Sequence, residues 1–262
     1  MTTGSLLWRG MVVGFIAALL SFSLLKLYGE PAVDRAIAFE SAMDEAKAKA
    51  DHDAAVARGE HPGPIVEEPE LVSRHVQAGI GLFTGVTTYS IAFGGLFALA
   101  FAILYGRMGD WSPRATAAIV ALMGFLAVYA VPILKYPANP PSIGNPDTIG
   151  IRTAIYFGMI LLSLGSMIVA WNVRNRLIDQ LGAWNATLIG AAVFVVAVVV
   201  FALVMPPLDE TPEGFPADVL WQFRMASLGA QAIMWTVLGL GFGAWVQRDF
   251  VEARVGRLQT AY

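Results

Sequence analysis

WNATLIGAAVFVVAVVVFALVMP, residues 184–206, decides the fold. It contains no charged residue. As a helix rising 1.5 Å per residue it would span roughly 35 Å, enough to cross the ~30 Å hydrocarbon core of a bilayer. Strands of a membrane β-barrel are about 10 residues long and alternate in polarity. This run is too long and too uniformly apolar for that. Working outward, five further stretches qualify: about 6–28, 78–105, 114–134, 151–172 and 221–245. None has Asp or Glu well inside, and Arg and Lys sit near the ends, where their stems can reach the headgroups. The sequence therefore predicts an all-α, polytopic membrane protein of about six transmembrane helices, a single membrane domain over 1–262 with the lipid bilayer as its first partner.

Composition agrees. Charged residues are 14% of the chain, against about 25% in a typical soluble domain. Eleven of the twenty acids fall between Glu30 and Glu70, beside only four bases. With no cysteine, disulfide frameworks and thiolate metal sites are excluded. No basic, aromatic-interleaved surface suggests nucleic acid, and no phosphate-binding Gly-x-x-x-x-Gly-Lys-Ser/Thr loop is present. The spans hold no Ser–His or paired-Asp constellation, so no enzyme is expected and no permanently bound cofactor.

Orientation follows from the short loops. Arg107 and Arg114 flank one turn, Arg174 and Arg176 lie in the expected turn 173–183, and Arg248, Arg254 and Arg257 mark the C-terminal tail. The opposing loop 207–219 has no base and four acids. Both termini are thus expected in the cytoplasm, in a multi-pass protein of the cytoplasmic (inner) membrane. The first span is expected to be retained, since its exit, Tyr28 to Ala32, is no small-x-small cleavage site. Segment 29–77 becomes an extracytoplasmic helical, acidic insertion. Glu30 and Pro31 predict a helix start there, with Val33, Ile37 and Met43 toward one side. Arg58-Gly59 predicts its stop, and residues 60–70 a Pro-broken linker.

A threefold repeat of hairpins is also expected. Odd spans begin near Trp8, Trp111 and Trp184, and even spans are entered past Arg74, Arg152 and Arg224. Such a repeat would collect three outer arginines around one axis. Asn185, Gln222 and Gln231 are read as hydrogen bonds between helices.

The most distinctive loop is KYPANPPSIGNPDTIGIRT, residues 135–153. Four prolines and two glycines make it irregular, and Asn139, Asn145 and Asp147 offer oxygen ligands of the kind divalent cations accept. The same residues would also serve as caps and turns. Asp209 and Glu210 on the next loop would draw a cation to the mouth or neutralise Arg152 and Arg224, since an arginine entering the membrane needs a partner. His52 and His61 on the insertion form a candidate metal-capture arm.

These residues resemble the CbtA family of predicted cobalt transporter subunits. The resemblance is carried by YPANPPSIGNPDTIG (136–150), LGAWNAT (181–187), and PEGFP (212–216) through WQFRMASLGAQ (221–231). It implies cobalt ion as transported substrate, a link to cobalamin supply, and a small single-span CbtB-like partner offering histidines. Many members carry a His-rich run in the first outer loop, where this chain has an acidic helix with His52 and His61. The resulting expectation is a transporter subunit for a divalent metal cation, cobalt uptake in particular, with Asn139, Asn145, Asp147, Asp209, Glu210, His52 and His61 as metal-site candidates. Arg152 and Arg224 would brace or gate the mouth, and a homo-oligomer is a further expected assembly. Two other readings stay open: a carrier of an anionic substrate using the outer arginines, and a non-transporting membrane scaffold or assembly protein.

Overall fold

A computed structural model describes residues 2–61, 63, 72–141 and 143–259. All regular structure among them is helical, and five helices are long and apolar enough to cross a membrane. They are α1 (Thr3–Ala57), α2 (Arg74–Leu104), α3 (Pro113–Lys135), α4 (Ile149–Val204) and α5 (Ala217–Glu252). Side-chain caps fix two starts: the Thr2 hydroxyl accepts from the Ser5 amide at 3.3 Å, and the Ser112 hydroxyl from Ala115 at 3.2 Å. At the far end of the insertion Gly59, at φ +79, marks the stop expected there.

The expected fresh start at Glu30-Pro31 is absent. One helix runs through it by way of a π-helical turn, Leu25–Gly29, in which the Glu30 amide reaches back to the Leu25 carbonyl. Proline lacks an amide hydrogen and crowds the carbonyl four residues earlier. The wider π turn moves that carbonyl away, so the helix continues. Three more π turns interrupt the spans, at Gln77–Gly81, Phe125–Ala130 and Leu238–Phe242.

The core is built from α1, α2, α3 and α5. Leu6, Val13, Ala17, Phe97, Phe101, Val120, Met234, Leu238 and Phe242 are buried together. Close approach depends on glycine. A Cβ on Gly10 would lie 2.2 Å from the Gly94 carbonyl oxygen, and one on Gly14 2.3 Å from that of Ser90. Lipid tails are as apolar as leucine, so packing rather than hydrophobicity holds helices together, and small residues let backbones meet. The α3–α5 seam uses the same device. The bare Cα of Gly239 faces Ala121, and Gly124 lies against the Trp235 ring.

The expected turn 173–183 is likewise shorter than read. Helix α4 continues through these polar residues and breaks only at Gly182, at φ 74 and ψ 162. Its two arms, 149–181 and 183–204, then fold back on each other. The Arg174 guanidinium donates to the Thr187 hydroxyl at 3.3 Å, and a Cβ on Gly190 would lie 2.9 Å from the Ala170 carbonyl oxygen. Only 6% of the most apolar 18-residue stretch of α4 is buried, an exposure that suits a lipid-facing surface. Asn185 bonds back to the Leu181 carbonyl four residues earlier rather than to another helix, because its arm stands at the edge of the bundle.

The hairpins do not pack alike. Helices α1 and α2 form a tight antiparallel pair, whereas α3 packs along α5 and meets α4 only near one end. At the loop end, the insertion bends onto α5. Ala32 and Ala36 cover Val219, Phe39 meets Phe215 edge-on at 5.1 Å, and Arg35 pairs with Asp218 at 2.5 Å. Met43, expected on the apolar side, is exposed, because the contact ends at about Phe39.

Candidate functional site: a cavity under the loops

A cavity of about 1240 Å³ opens between α2, α3, the first arm of α4 and α5, beneath the loops 136–145 and 205–216. Its mouth is charged. Lys135, Arg152 and Arg224 line it together with Asp209 and Glu210. Deeper in, polar groups are sparse: Tyr129 shares a hydrogen bond with Ser227 at 2.9 Å, and Gln231 donates to the Tyr89 hydroxyl at 3.1 Å. The Gln231 carbonyl oxygen is buried without a partner.

Glu210 organises the mouth. Its carboxylate accepts from the Thr148 hydroxyl at 2.6 Å and the Asn145 amide at 3.0 Å, and pairs with the Arg152 guanidinium at 3.4 Å. The Thr148 hydrogen bond first, then the Asn145 amide and the Arg152 charge, hold this carboxyl below the ordinary carboxylate value. Gly144 permits the closeness. Its φ is +112, and a Cβ there would sit 2.2 Å from an Arg152 nitrogen. Arg152 also donates to the Asn145 carbonyl at 3.2 Å. On the other side Arg224 donates to the Ala138 carbonyl at 3.2 Å and to the Asn139 side-chain oxygen at 3.1 Å.

The expected site residues are therefore only partly gathered. Asn139, Asp209 and Glu210 line the cavity, and Asn145 joins them through Glu210. Asn145 spends its side-chain oxygen on the Asp147 amide at 2.9 Å. The Asp147 side chain is exposed and outside the lining. His52 and His61 lie at the end of the insertion. His52 is 3.8 Å from its neighbour Asp53, and neither histidine lines the cavity. Among the described residues no three His, Cys, Asp or Glu side chains form a metal-holding group. Arg74 does not join the other two outer arginines. It pairs with Glu30 and with Asp34 at 2.9 Å, on the insertion. The partner expected for Arg152 is present as Glu210, whereas Arg224 hydrogen-bonds neutral oxygens and feels the Asp209 charge from beyond 4.0 Å.

Gln222 and Gln231 do link helices, to the Tyr28 carbonyl at 2.9 Å and to Tyr89. Sequence reading missed a pair at the opposite end. Arg9 of α1 meets Asp249 of α5 at 2.6 Å, each side chain 20% exposed, with Trp245 under the guanidinium. Charges near the ends of two spans whose termini share one side were the available signal. Lys135, quoted only as the start of a loop, also proves to line the cavity.

Long apolar helices around a charged-mouthed cavity define a polytopic membrane protein. The chain belongs to the CbtA family, whose model, described as a probable cobalt transporter subunit, matches residues 3–247. No curated protein and no solved structure matches it.

Proposed function

We propose that this subunit moves cobalt into the cell through the cavity, which lies within the cytoplasmic membrane and opens outward. The single observation that supports this reading is the cavity itself. It runs from a mouth built on the two most irregular loops down to the Tyr129–Ser227 and Tyr89–Gln231 pairs between helices. Ligand sites between bundled helices have this character, with apolar walls and few polar groups. In this reading the chain crosses the bilayer six times, because α4 turns back at Gly182, and both termini are cytoplasmic. Asp209 is the mouth carboxylate left to meet the metal of the cargo, while Glu210, Arg152 and Arg224 fix the loops that frame the opening. The insertion with His52 and His61 concentrates metal near the mouth, and a small single-span subunit is a candidate partner.

The test is uptake of radioactive cobalt by liposomes holding the purified protein, from a medium containing free and chelated ion, with and without that partner. Nickel and zinc serve as comparisons. Ser227→Phe fills the cavity below the mouth. Protein-dependent cobalt uptake that this variant abolishes, while it still folds, is the expected result. Uptake unchanged by the plug would place the route elsewhere.

A further inference from the structure

We propose that the cavity accepts cobalt already held by a small organic acid, as a complex with net negative charge, rather than the bare hydrated ion. This rests on the reading of the cavity as the cargo site and narrows its substrate class.

Three observations carry it. The first is the lack of ligands. Borderline first-row metals are held by imidazole, thiolate or carboxylate. Among the described residues the cavity lining has no histidine, and its carboxylates are Asp209 and Glu210. Glu210 already serves Thr148, Asn145 and Arg152. Below the mouth stand neutral phenols, a hydroxyl and an amide, which suit hydrogen bonds to an organic ligand.

The second is sign. Among the described residues three cationic side chains line the cavity against two carboxylates. Among the described residues only Arg152 of the three has a carboxylate within 4.0 Å. Arg224 hydrogen-bonds neutral oxygens and feels the Asp209 charge from beyond 4.0 Å, and among the described residues Lys135 has no carboxylate within 4.0 Å. Near low-dielectric walls a net positive lining repels a bare dication and attracts an anion.

Size is the third. A metal ion with six waters needs roughly 200 Å³ at about 30 Å³ per water. The cavity of about 1240 Å³ is instead on the scale of pockets that enclose whole organic ligands, roughly 300–1,000 Å³.

The experiment uses the full-length protein in liposomes, with cobalt offered either as the free ion in a non-coordinating buffer or as a negatively charged cobalt–citrate complex. Saturable uptake of the complex, inhibited by excess nickel–citrate, with little uptake of the free ion, is expected. Lys135→Gln should weaken the apparent affinity for the complex roughly fivefold, the order of one partly screened charge contact. Among the described residues the Lys135 side chain makes no hydrogen bond or ion pair and rests only over the Tyr136 ring, so its loss reports charge rather than folding; Arg224→Gln should act in the same direction. Saturable uptake of the free ion with exclusion of the complex would overturn the proposal and leave cobalt transport standing. Uptake of the complex unaffected by Lys135→Gln and Arg224→Gln would also overturn it. Uptake of neither form, with no binding of the complex, would overturn both readings.

Discussion

Replacing Gly94 by Ala adds one methyl group where α1 and α2 touch. That carbon would lie 2.1 Å from the Gly10 carbonyl oxygen and 3.1 Å from the Gly14 Cα. Close carbon-to-carbonyl contacts in proteins are about 3.3 Å or longer, so the two backbones must part by about 1.2 Å. Both obstructing atoms are main chain, and no rotamer change can relieve them. Parting the helices loosens Val13, Ala17, Ala98 and Phe101, which are buried along the same seam. Overpacking of this kind costs about 1–3 kcal/mol, offset by about 1 kcal/mol of helix propensity gained over glycine. With main chain on both sides the upper part of that range applies, for a net loss of about 2 kcal/mol. Gly165→Ala supplies the control, because nothing lies within 4 Å of its Cβ position. It should gain up to about 1 kcal/mol. Unfolding in mixed detergent micelles, followed by circular dichroism, should therefore place the two variants about 3 kcal/mol apart. If Gly94→Ala proved as stable as Gly165→Ala, the glycine seam would not be what sets the α1–α2 distance.

Three further outcomes are expected. The Glu210 carboxyl is held below its ordinary value in the folded protein, so its hold on loop 136–148 is complete above the ordinary carboxylate range and lost as pH falls through the depressed value. Limited proteolysis of that loop in detergent should show protection surviving mild acid in the native protein and already absent there in Glu210→Gln. Arg9→Ala leaves Asp249 without its partner in a half-enclosed site and should cost about 1–3 kcal/mol, between the limits for exposed and buried pairs. Arg9→Met with Asp249→Leu should recover most of that loss in the same unfolding assay. Deletion of 40–58 keeps the packing of Ala32, Ala36 and Phe39 on α5 and removes His52. Metal-dependent growth should weaken only at low cobalt; complete loss at every concentration would mark the insertion as a docking scaffold instead.

Hydrophobic length carried most of the fold. The expected spans 78–105 and 114–134 stand within a few residues of α2 and α3, since a bilayer demands an uninterrupted apolar run and internal hydrogen bonding. Helix ends beyond the apolar runs were not readable in the same way. Six of the nine residues from Asn172 to Gln180 are polar, which looks like a loop, yet a helix leaving the bilayer stays helical until something such as Gly182 breaks it. Pro31 misled for a related reason, since a π turn absorbs a proline and leaves no trace in periodicity. The Arg152–Glu210 pair was legible because an arginine entering a membrane demands a counter-charge. Arg224 resting on Asn139 was not, because neutral carbonyl partners carry no sequence signature. The cavity itself depends on how far the α4 pair stands from the bundle, a distance that no single span encodes.

That peripheral position has a mechanical consequence. The first arm of α4 forms one wall of the cavity, yet its hydrophobic fastenings lie well inside its ends. Met159 sits against Val131 and Tyr136, and further along the arm Trp171 meets Trp111 edge-on at 6.0 Å. The helix between these two contacts is roughly 18 Å long, so pivoting by about 5° at Met159 would carry Trp171 about 1.6 Å. An edge-on aromatic contact is worth about 0.5–1.5 kcal/mol beyond its area. Slipping that one ring pair would let the wall swing as a hinged panel, while the glycine-seamed pair of α1 and α2 stays still as the post.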